Sequence, residues 1–517
     1  MKKFTLVLAL MLPLFIVTEL YANINNGMFD QVSEAIYLKD FGVVANSPKD
    51  QTANIQRAFE AASVLRKRLI IGKGTYWING TEGSDSKQYL YDRGGIKVYS
   101  NSDIVFEKGA IFKVLSTSYE AYNGLRIWNV SNVRITGATL EGDRVIHKGL
   151  LGEWGHGFFI AGSDNVTISG ATVYNFWGDG VNLNCANLDS KLKINNNIVL
   201  DRIVSYSNRR QGLSIEAGRN ITIRHSEFRN NRGTAPGSGI DIEPWSEEYE
   251  NVSGIRIENC KFIDNPQGLM VNFPNIRDVN VISCTFTATA KGKVNRHIWQ
   301  LYGNNELKVS NTYFDNQAIN ILINSGIKTI LTGCNLNNQI KIDAPAPSSV
   351  FLTNNKFNGA NVSVESRSNG TLDIRKNEFL TDSKVELRGK IKTIIQDNIF
   401  SNTKDIFISD YSTGETVVRN NIMLGAKYQA IGTTGNIKIE SNISDKSEVF
   451  VWIRKNANHV SLIGNKFSTT IGQMLSVEDP ASNNHIEILR NIAKDKSILI
   501  QDFQSQLFNN KSNKFSN

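Results

Sequence analysis

A short strand-like motif repeats through the second half of the chain at intervals of 21 to 26 residues. It reads apolar-x-apolar-x-x-Asn-x-apolar, as in LTNNKF, IRKNEF and LIGNKF. Its asparagines are Asn355, Asn377, Asn398, Asn421, Asn442, Asn465 and Asn491. A fixed strand-like repeat of this length indicates a parallel β-helix. Equivalent residues then stack about 4.8 Å apart, so residues distant in the sequence become neighbours.

The first 22 residues have the pattern of an export signal. Met1-Lys2-Lys3 precedes an apolar run, and Ala22 stands at a suitable cleavage site. The run is short for a bilayer span, so we expect a secreted or periplasmic bacterial protein without membrane contact after cleavage. The formal net charge of +8 suits an anionic partner, and nothing in the sequence resembles a nucleic-acid-binding motif.

The pattern divides the chain into five parts. Ahead of the coils, a strand near Tyr37 is followed by an amphipathic helix whose apolar face would cover the first coil. That face holds Ile55, Ala58, Phe59 and Ala62. We predict a signal peptide, a cap, coils that carry a cleft, coils with the asparagine ladder and a tail at residues 1–22, 23–80, 81–345, 346–500 and 501–517.

Three of the four cysteines occupy the slot that the ladder asparagines fill later. Cys260, Cys284 and Cys334 should therefore form an inward-facing column, and Cys185 stands apart. No C-x-x-C spacing of a metal site is present. Because Cys260 and Cys284 lie on successive coils, both a disulfide and stacked reduced thiols remain open.

The cap followed by coils resembles the N-terminal part of the pectate-lyase-like superfamily, which includes polygalacturonases and many phage tailspikes. The similarity of pattern covers about residues 36–345. It implies an all-β, right-handed parallel β-helix that acts on a polysaccharide. A left-handed helix would need a hexapeptide period, which the sequence lacks.

Five strands that each follow a glycine locate a candidate site. The glycines suit corners with an unusual backbone angle, and they are Gly157, Gly180, Gly212, Gly239 and Gly268. When they are aligned, the first and third residues after each glycine are apolar and point inward, so the second and fourth point outward. The outward columns bring carboxylates together on one exposed patch. The catalytic candidates are Glu216, Asp241 and Glu243, together with Asp179, which stands at a strand corner and is either a fourth acid or a turn residue.

Two of these acids should be close enough to interact. Glu216 and Glu243 would lie about 5 Å apart on neighbouring coils. Joint ionisation is unfavourable at that distance, so at least one should have a raised pKa. A protonated acid beside a carboxylate is what glycosidic cleavage requires. Exposed strands often carry ordinary polar residues, but stacked like charges destabilise a sheet, which favours a functional role.

Loops beside these strands supply candidate substrate-binding residues. Arginines could bind the carboxylate of an acidic sugar, and tryptophans could contact sugar rings. A charged insertion at 141–157 would form a wall of the cleft, with two histidines as candidate bases. The candidates are Asn182, Asn184, Arg209, Arg210, Arg232, Trp154, Trp177, Trp245, His147, His156 and Glu153.

Three functions remain open. A glycoside hydrolase, which we favour, needs only the paired carboxylates and no metal or cofactor. A polysaccharide lyase or C5 epimerase would use Arg210, Arg232 or a loop histidine as base, with Ca²⁺ held by the acids. A glycan-binding or polysaccharide-assembly β-helix is the non-catalytic alternative. The resemblance to polygalacturonases implies inversion, although their Asp-Asp pair corresponds to Gly178-Asp179-Gly180 here. The oligomeric state is left open by the sequence.

Overall fold

A computed structural model describes most of the chain beyond the proposed signal peptide. The described residues are 34–81, 94–188, 191–244, 252–272, 276–289, 295–301, 306–315, 317–323, 328–345, 347–401, 406–426, 428–454, 459–468, 473–478, 485–493, 508–511 and 514–515. The signal peptide prediction lies outside them. Within these ranges, no helix has the length and apolar character needed to cross a bilayer.

The cap forms ahead of the coils as the sequence predicts. A strand at Ala35–Tyr37 leads through a 3₁₀-helix at Leu38–Phe41 to an α-helix at Thr52–Leu65. The helix packs on the strands Arg68–Ile71 and Ser102–Phe106 of the first coils. Its predicted apolar face is fully buried, with Ile55, Ala58, Phe59 and Ala62 all at 0–1% exposure.

The remaining chain winds into three stacked parallel sheets. The long sheet holds 19 described strands, from Ala35–Tyr37 to Phe508–Lys511, and the third sheet holds 18, from Gly74–Ile78 to Lys514–Phe515. The site sheet has 16 described strands. They are Ile96–Lys97, Ala121–Trp128, Trp154–Ala161, Val181–Asn184, Leu213–Ile215, Ser238–Ile242, Gln267–Val271, Asn295–Leu301, Gln317–Ile323, Ile340–Ala344, Val362–Ser366, Val385–Gly389, Ile406–Ser412, Gln429–Thr433, Val449–Ile453 and Gln473–Val477. This all-β architecture is a parallel β-helix, as predicted.

The asparagine ladder lies at the corner between the long sheet and the third sheet. The residue before each of the seven ladder asparagines has a left-handed backbone conformation, as at Asn420 (φ 54°), and this conformation turns the chain at the corner. The Oδ1 of Asn377 accepts the backbone N–H of Asn355 at 2.8 Å, and its Nδ2 donates to the carbonyl of Leu352 at 2.8 Å. The ladder thus satisfies backbone groups that would otherwise be buried without partners.

The cysteine column continues the ladder toward the N-terminus. Cys260, Cys284 and Cys334 are each 1% exposed, and all four cysteines are free thiols. The Cys260 thiol donates to the carbonyl of Glu258 at 3.2 Å. Of the two alternatives left open by the sequence, the structure contains the stacked thiols.

Phenylalanine rings fill the core along the third sheet. Phe262 and Phe286 stack with centroids 4.3 Å apart, and Phe286 and Phe314 follow at 4.9 Å. These three coils place their rings at the same position, because Phe262, Phe286 and Phe314 pair in register along the third sheet. Close-packed rings make a rigid scaffold under the loops of the site sheet.

Candidate active site

The five glycine-led strands stack in the predicted register. Asn182 lies beside Ser214, and Ser214 beside Asp241, on successive strands of the site sheet. Glu216 and Glu243 directly follow two of these strands. The backbone N–H of Glu243 donates to the carbonyl of Ile215 at 3.0 Å, which fixes the two glutamates on adjoining coils.

The glycines are required by close approach rather than by backbone angle. A Cβ on Gly212 would lie 2.6 Å from the carbonyl oxygen of Gly239 and 2.7 Å from the ring of Phe228. A Cβ on Gly239 would meet the Phe262 ring at 2.6 Å. The prediction of an unusual backbone angle was wrong, since these glycines do not have positive φ. The phenylalanine rings of the core therefore lie so close to the backbone at Gly212 and Gly239 that a larger residue would not fit there.

Most of the acidic patch lies beneath loops. Asp179, Ser214 and Asp241 are 0% exposed, and Asn182 is 1% exposed. The prediction of an exposed patch was therefore wrong for these residues. Strand alternation gives the direction of a side chain from the sheet, but it does not show which loops cover that side chain. Glu216 and Glu243 are only half-buried and form the accessible edge of the cluster.

Arg210 is the cation at the centre of the cluster. Its Nη2 contacts both carboxylate oxygens of Glu243, at 2.8 and 2.9 Å, and its Nη1 lies 3.4 Å from Asp179. Its Nε lies 3.7 Å from Glu153. Burial lowers the pKa of Arg210, but the carboxylates of Asp179 and Glu243 raise it more, so the net shift is upward. Arg210 is thus a fixed counter-ion, and the suggestion that it is a lyase base has no support here.

Glu216 has a different environment from Glu243. Its two oxygens accept amide hydrogens from Asn182 at 2.6 Å and from Asn184 at 2.7 Å. Burial, and then the neighbouring charge of Glu243, raise the pKa of Glu216 to about 8. The pKa of Glu243 is also raised by burial, but Arg210 opposes that rise. Near neutral pH, Glu216 is the member of the pair that holds a proton.

Asp241 and Asp179 lie behind this pair. One oxygen of Asp241 accepts the Gln211 amide at 2.8 Å, and the other has no partner in the described structure. Burial raises the pKa of Asp241 well above its ordinary value. Asp179 accepts the Ser214 hydroxyl at 3.0 Å. Because both are fully buried, neither can meet a polymer directly, which corrects their prediction as catalytic residues.

The two candidate histidines are both buried. His156 is 2% exposed, and burial lowers its pKa to about 4 despite the opposing charge of Asp179. Its Nδ1 accepts the backbone N–H of Asp179 at 3.4 Å. The His147 side chain is 0% exposed, and its Nδ1 lies 2.8 Å from Asp143. Both rings support the walls of the site, so their prediction as bases in contact with substrate was wrong.

Trp177 is part of the wall rather than an open sugar platform. The His147 ring stacks on it at 3.9 Å, and the guanidinium of Arg209 lies 4.0 Å from its centroid. Its Nε1 donates to the carbonyl of Leu151 at 3.0 Å. Trp154 is half-buried and pairs with Ala121 in the site sheet, and Trp245 lies outside the described residues.

A second asparagine ladder, which we did not predict, holds the loops of the site. The Oδ1 of Asn231 accepts the backbone N–H of Asn208 at 3.1 Å, and the Oδ1 of Asn265 accepts that of Asn231 at 3.0 Å. Arg209 and Arg232 each directly follow a ladder asparagine. The signal was the Asn-Arg dipeptide, which recurs after 23 residues.

Three arginines form a separate cluster beside the acids. Arg144 donates to the carbonyl oxygens of Ser207 at 2.6 Å and Arg232 at 2.7 Å. Arg209 donates to the carbonyl of Gly152 at 2.6 Å. Burial, and then the charges of Arg209 and Arg232, lower the pKa of Arg144. Arg209 and Arg232 therefore lie outside the acid cluster, and only Arg210 enters it.

No metal centre is evident in the part of the chain that the structure describes. There, no group of three or more His, Cys, Asp or Glu side chains is arranged to hold an ion. The positive charge within the acid cluster is the guanidinium of Arg210. Calcium binding remains a prediction tied to the lyase alternative.

Comparison with known proteins agrees with the fold. Residues 70–252 match a family model described as a right handed beta helix region, so the fold is a right-handed parallel β-helix. The SPbeta prophage-derived uncharacterized protein YorA of Bacillus subtilis (strain 168) is 25% identical over 251 residues, which is 43% of each chain. The match thus spans less than half the length of that curated relative.

Two solved structures are similar at low sequence identity. PfbA, a surface adhesin of Streptococcus pneumoniae, is 15% identical, with 88% of this chain and 93% of that chain covered and a TM-score of 0.42. A tailspike capsular polysaccharide depolymerase from the Acinetobacter baumannii bacteriophage Fri1 is 12% identical, with 72% and 64% covered and a TM-score of 0.42. Proteins similar to this chain therefore include both an adhesin and a polysaccharide-acting enzyme.

Proposed function

We propose that this protein is an exported glycoside hydrolase that cleaves a polysaccharide bearing acidic groups. The observation that carries the proposal is the unequal pair at the accessible edge of the acid cluster. Glu216 is held by two asparagine amides and Glu243 by Arg210, on adjoining coils. Two neighbouring carboxyls with different environments divide the acid and base roles between them.

In this mechanism Glu216 is the proton donor. With its pKa raised to about 8 by burial and by Glu243, it is protonated at neutral pH and can donate to the glycosidic oxygen as the bond breaks. Asn182 and Asn184 hold its carboxyl in place and can stabilise the carboxylate that remains. Proton donation of this kind contributes about 10²–10⁴-fold to the rate.

Glu243 is the carboxylate partner. Arg210 holds both of its oxygens, which favours the ionised form and fixes its orientation. It would act on the sugar either directly as nucleophile or through a water molecule as base. The anomer released first distinguishes these two routes, since direct attack gives retention and water activation gives inversion.

Incubation with a panel of acidic and neutral polysaccharides tests the proposal. We expect new reducing ends without new ultraviolet absorbance, and loss of activity in both Glu216→Gln and Glu243→Gln. Glu227→Gln is a matched control, because Glu227 pairs with Arg229 on the third sheet. New ultraviolet absorbance would instead identify a lyase. Full activity in either site variant would contradict the assigned roles, and intact polymer throughout the panel would favour a binding protein.

A further inference from the structure

Three arginine side chains, those of Arg144, Arg209 and Arg232, lie near Gly233, and none forms an ion pair with a described carboxylate. Among the described residues, the side chains of Arg144, Arg209 and Arg232 donate hydrogen bonds to carbonyl oxygens and to the amide oxygen of Asn230. A Cβ on Gly233 would lie 3.0 Å from the Arg209 side chain and 3.3 Å from Nη2 of Arg144. Besides burial, the charges of Arg209 and Arg232 lower the pKa of Arg144, which means that the three groups repel one another, so an anion placed among them would be favoured.

The carboxylates nearest to this cluster are already engaged. Asp143 accepts hydrogen bonds from Tyr122 at 2.6 Å and from the backbone of Thr117 at 3.0 Å. Asp264 accepts the backbone N–H of Thr289 at 2.7 Å and the Thr289 hydroxyl at 2.5 Å. Glu153 faces Arg210 at 3.7 Å and is the one acid whose charge also acts on Arg209. Three positive charges thus stand against the partial influence of one shared carboxylate.

The cluster is also held in place before any ligand arrives. Arg209 and Arg232 directly follow Asn208 and Asn231, whose backbone positions are fixed by the hydrogen bonds of the second asparagine ladder. Arg209 packs on the Trp177 ring, and Arg144 is tied to two carbonyl oxygens. Each guanidinium has five N–H donors, so N–H groups that are not used in the hydrogen bonds to the protein remain available to a ligand. Fixed guanidinium groups bind planar or tetrahedral oxyanions well, since little side-chain freedom is lost.

We propose that Arg144, Arg209 and Arg232 form an oxyanion subsite that holds the carboxylate or sulfate group of an acidic sugar beside the Glu216–Glu243 pair. The inference rests on the proposed function for the identity of the polymer. Its placement follows from the chain, because Arg209 directly precedes Arg210, which contacts Glu243. The subsite would fix one charged sugar unit relative to the acid pair and so select acidic polymers over neutral ones.

Binding measurements on catalytically disabled protein separate this subsite from turnover. In the Glu216→Gln background, the affinities for polygalacturonate, for its fully methyl-esterified form and for a sulfated glycan are compared by calorimetry. Arg232→Gln is the informative variant, because Arg232 is exposed and anchors the fold least. Lys148→Gln is the control, since it removes one exposed charge from the same insertion as Arg144. Arg232→Lys tests whether the planar fork matters beyond its charge.

We expect Arg232→Gln to weaken binding of the acidic polymer by about tenfold to a hundredfold, the loss of one charge-assisted hydrogen bond, while Lys148→Gln changes it less than about threefold. Preference for polygalacturonate would identify a carboxylate ligand, and preference for the sulfated glycan a sulfate. Equal effects of the two variants, or equal binding of polygalacturonate and its ester with no binding of the sulfated glycan, would overturn the subsite. Binding that depends on Arg232 without turnover by the unmodified protein would refute the hydrolase and leave the subsite standing.

Discussion

Replacing Arg210 with methionine is the sharpest test of the acid cluster. The change removes the two contacts of 2.8 and 2.9 Å to Glu243 and the contact of 3.4 Å to Asp179, and leaves the aliphatic volume in place. The Arg210 side chain is 12% exposed and Asp179 is 0% exposed, so the carboxylates lose a buried counter-ion. Breaking a buried ion pair in this way costs about 3–5 kcal/mol.

The cost should depend on pH with a definite sign. Without Arg210, the folded-state pKa of Glu243, already raised by burial, rises further above its unfolded value of roughly 4. A carboxyl with a raised folded pKa destabilises the fold as pH rises through the interval between its unfolded and folded values. The full loss is therefore expected near pH 8, and most of it should vanish near pH 4, where Glu243 is protonated in the folded state and about half protonated in the unfolded state.

Hydrogen exchange measures this loss locally, which avoids assuming two-state unfolding of a long repeat array. Protection factors of amides in Leu213–Ile215 and Ser238–Ile242 should fall by roughly two to three and a half orders of magnitude near pH 8, because each 1.4 kcal/mol is about tenfold. Arg375→Met is the control, since its pair with Asp373 is partly exposed and is worth about 0–1 kcal/mol. A fall of less than about tenfold, or one that is equal at both pH values, would refute the view of Arg210 as a buried counter-ion.

Three further predictions follow from the site and the ladder. Because Glu216 must be protonated and burial raises its pKa to about 8, kcat/KM should decline as pH rises above about 8, and activity that still rises above pH 9 would contradict its role as acid. Asn421→Ala should lower local stability by about 2–4 kcal/mol, since Asn421 accepts both the N–H and the Nδ2 of Asn398 at 2.9 Å. Ile422 is 38% exposed, so Ile422→Ala should cost about 0.5 kcal/mol or less, and equal losses of hydrogen-exchange protection in Asn421→Ala and Ile422→Ala would rule out the ladder as a stabilising element. Burial and Glu216 raise the pKa of Cys185 to about 11, so Glu216→Gln should speed iodoacetamide labelling of Cys185 near pH 9, and an unchanged rate would mean that the two groups do not interact.

The register of the site could be predicted because a strand has a period of two. Once the glycines before the strands are aligned, Asn182, Ser214 and Asp241 must share one column, and they do. The cap helix could also be predicted from the sequence, because its apolar residues have helical spacing and the first coil is the surface that they can cover. Short-range periodicity carried these predictions without any knowledge of the loops.

The failures concern what lies above the sheet. Nothing in the strand pattern shows that Arg210 folds over Asp179, or that His147 and Arg209 enclose Trp177. These positions depend on loop conformations, which have no period. Arg144 was missed for the same reason, because its partner Arg232 lies 88 residues away on a different loop.

The first asparagine ladder also makes the solenoid directional. In every step the later coil supplies the acceptor Oδ1 and the earlier coil supplies the donor N–H, as from Asn442 to Asn465 at 2.9 Å. The side-chain amide dipoles therefore point the same way, like a helix dipole built from separate turns. Almost any residue can begin such a row, as Cys334 does by donating to Asn355 at 2.9 Å, but only a residue with a side-chain acceptor can extend it. A coil grafted onto the C-terminal side must bring a residue with a side-chain acceptor, such as asparagine, in this slot, whereas one grafted onto the N-terminal side need only avoid proline.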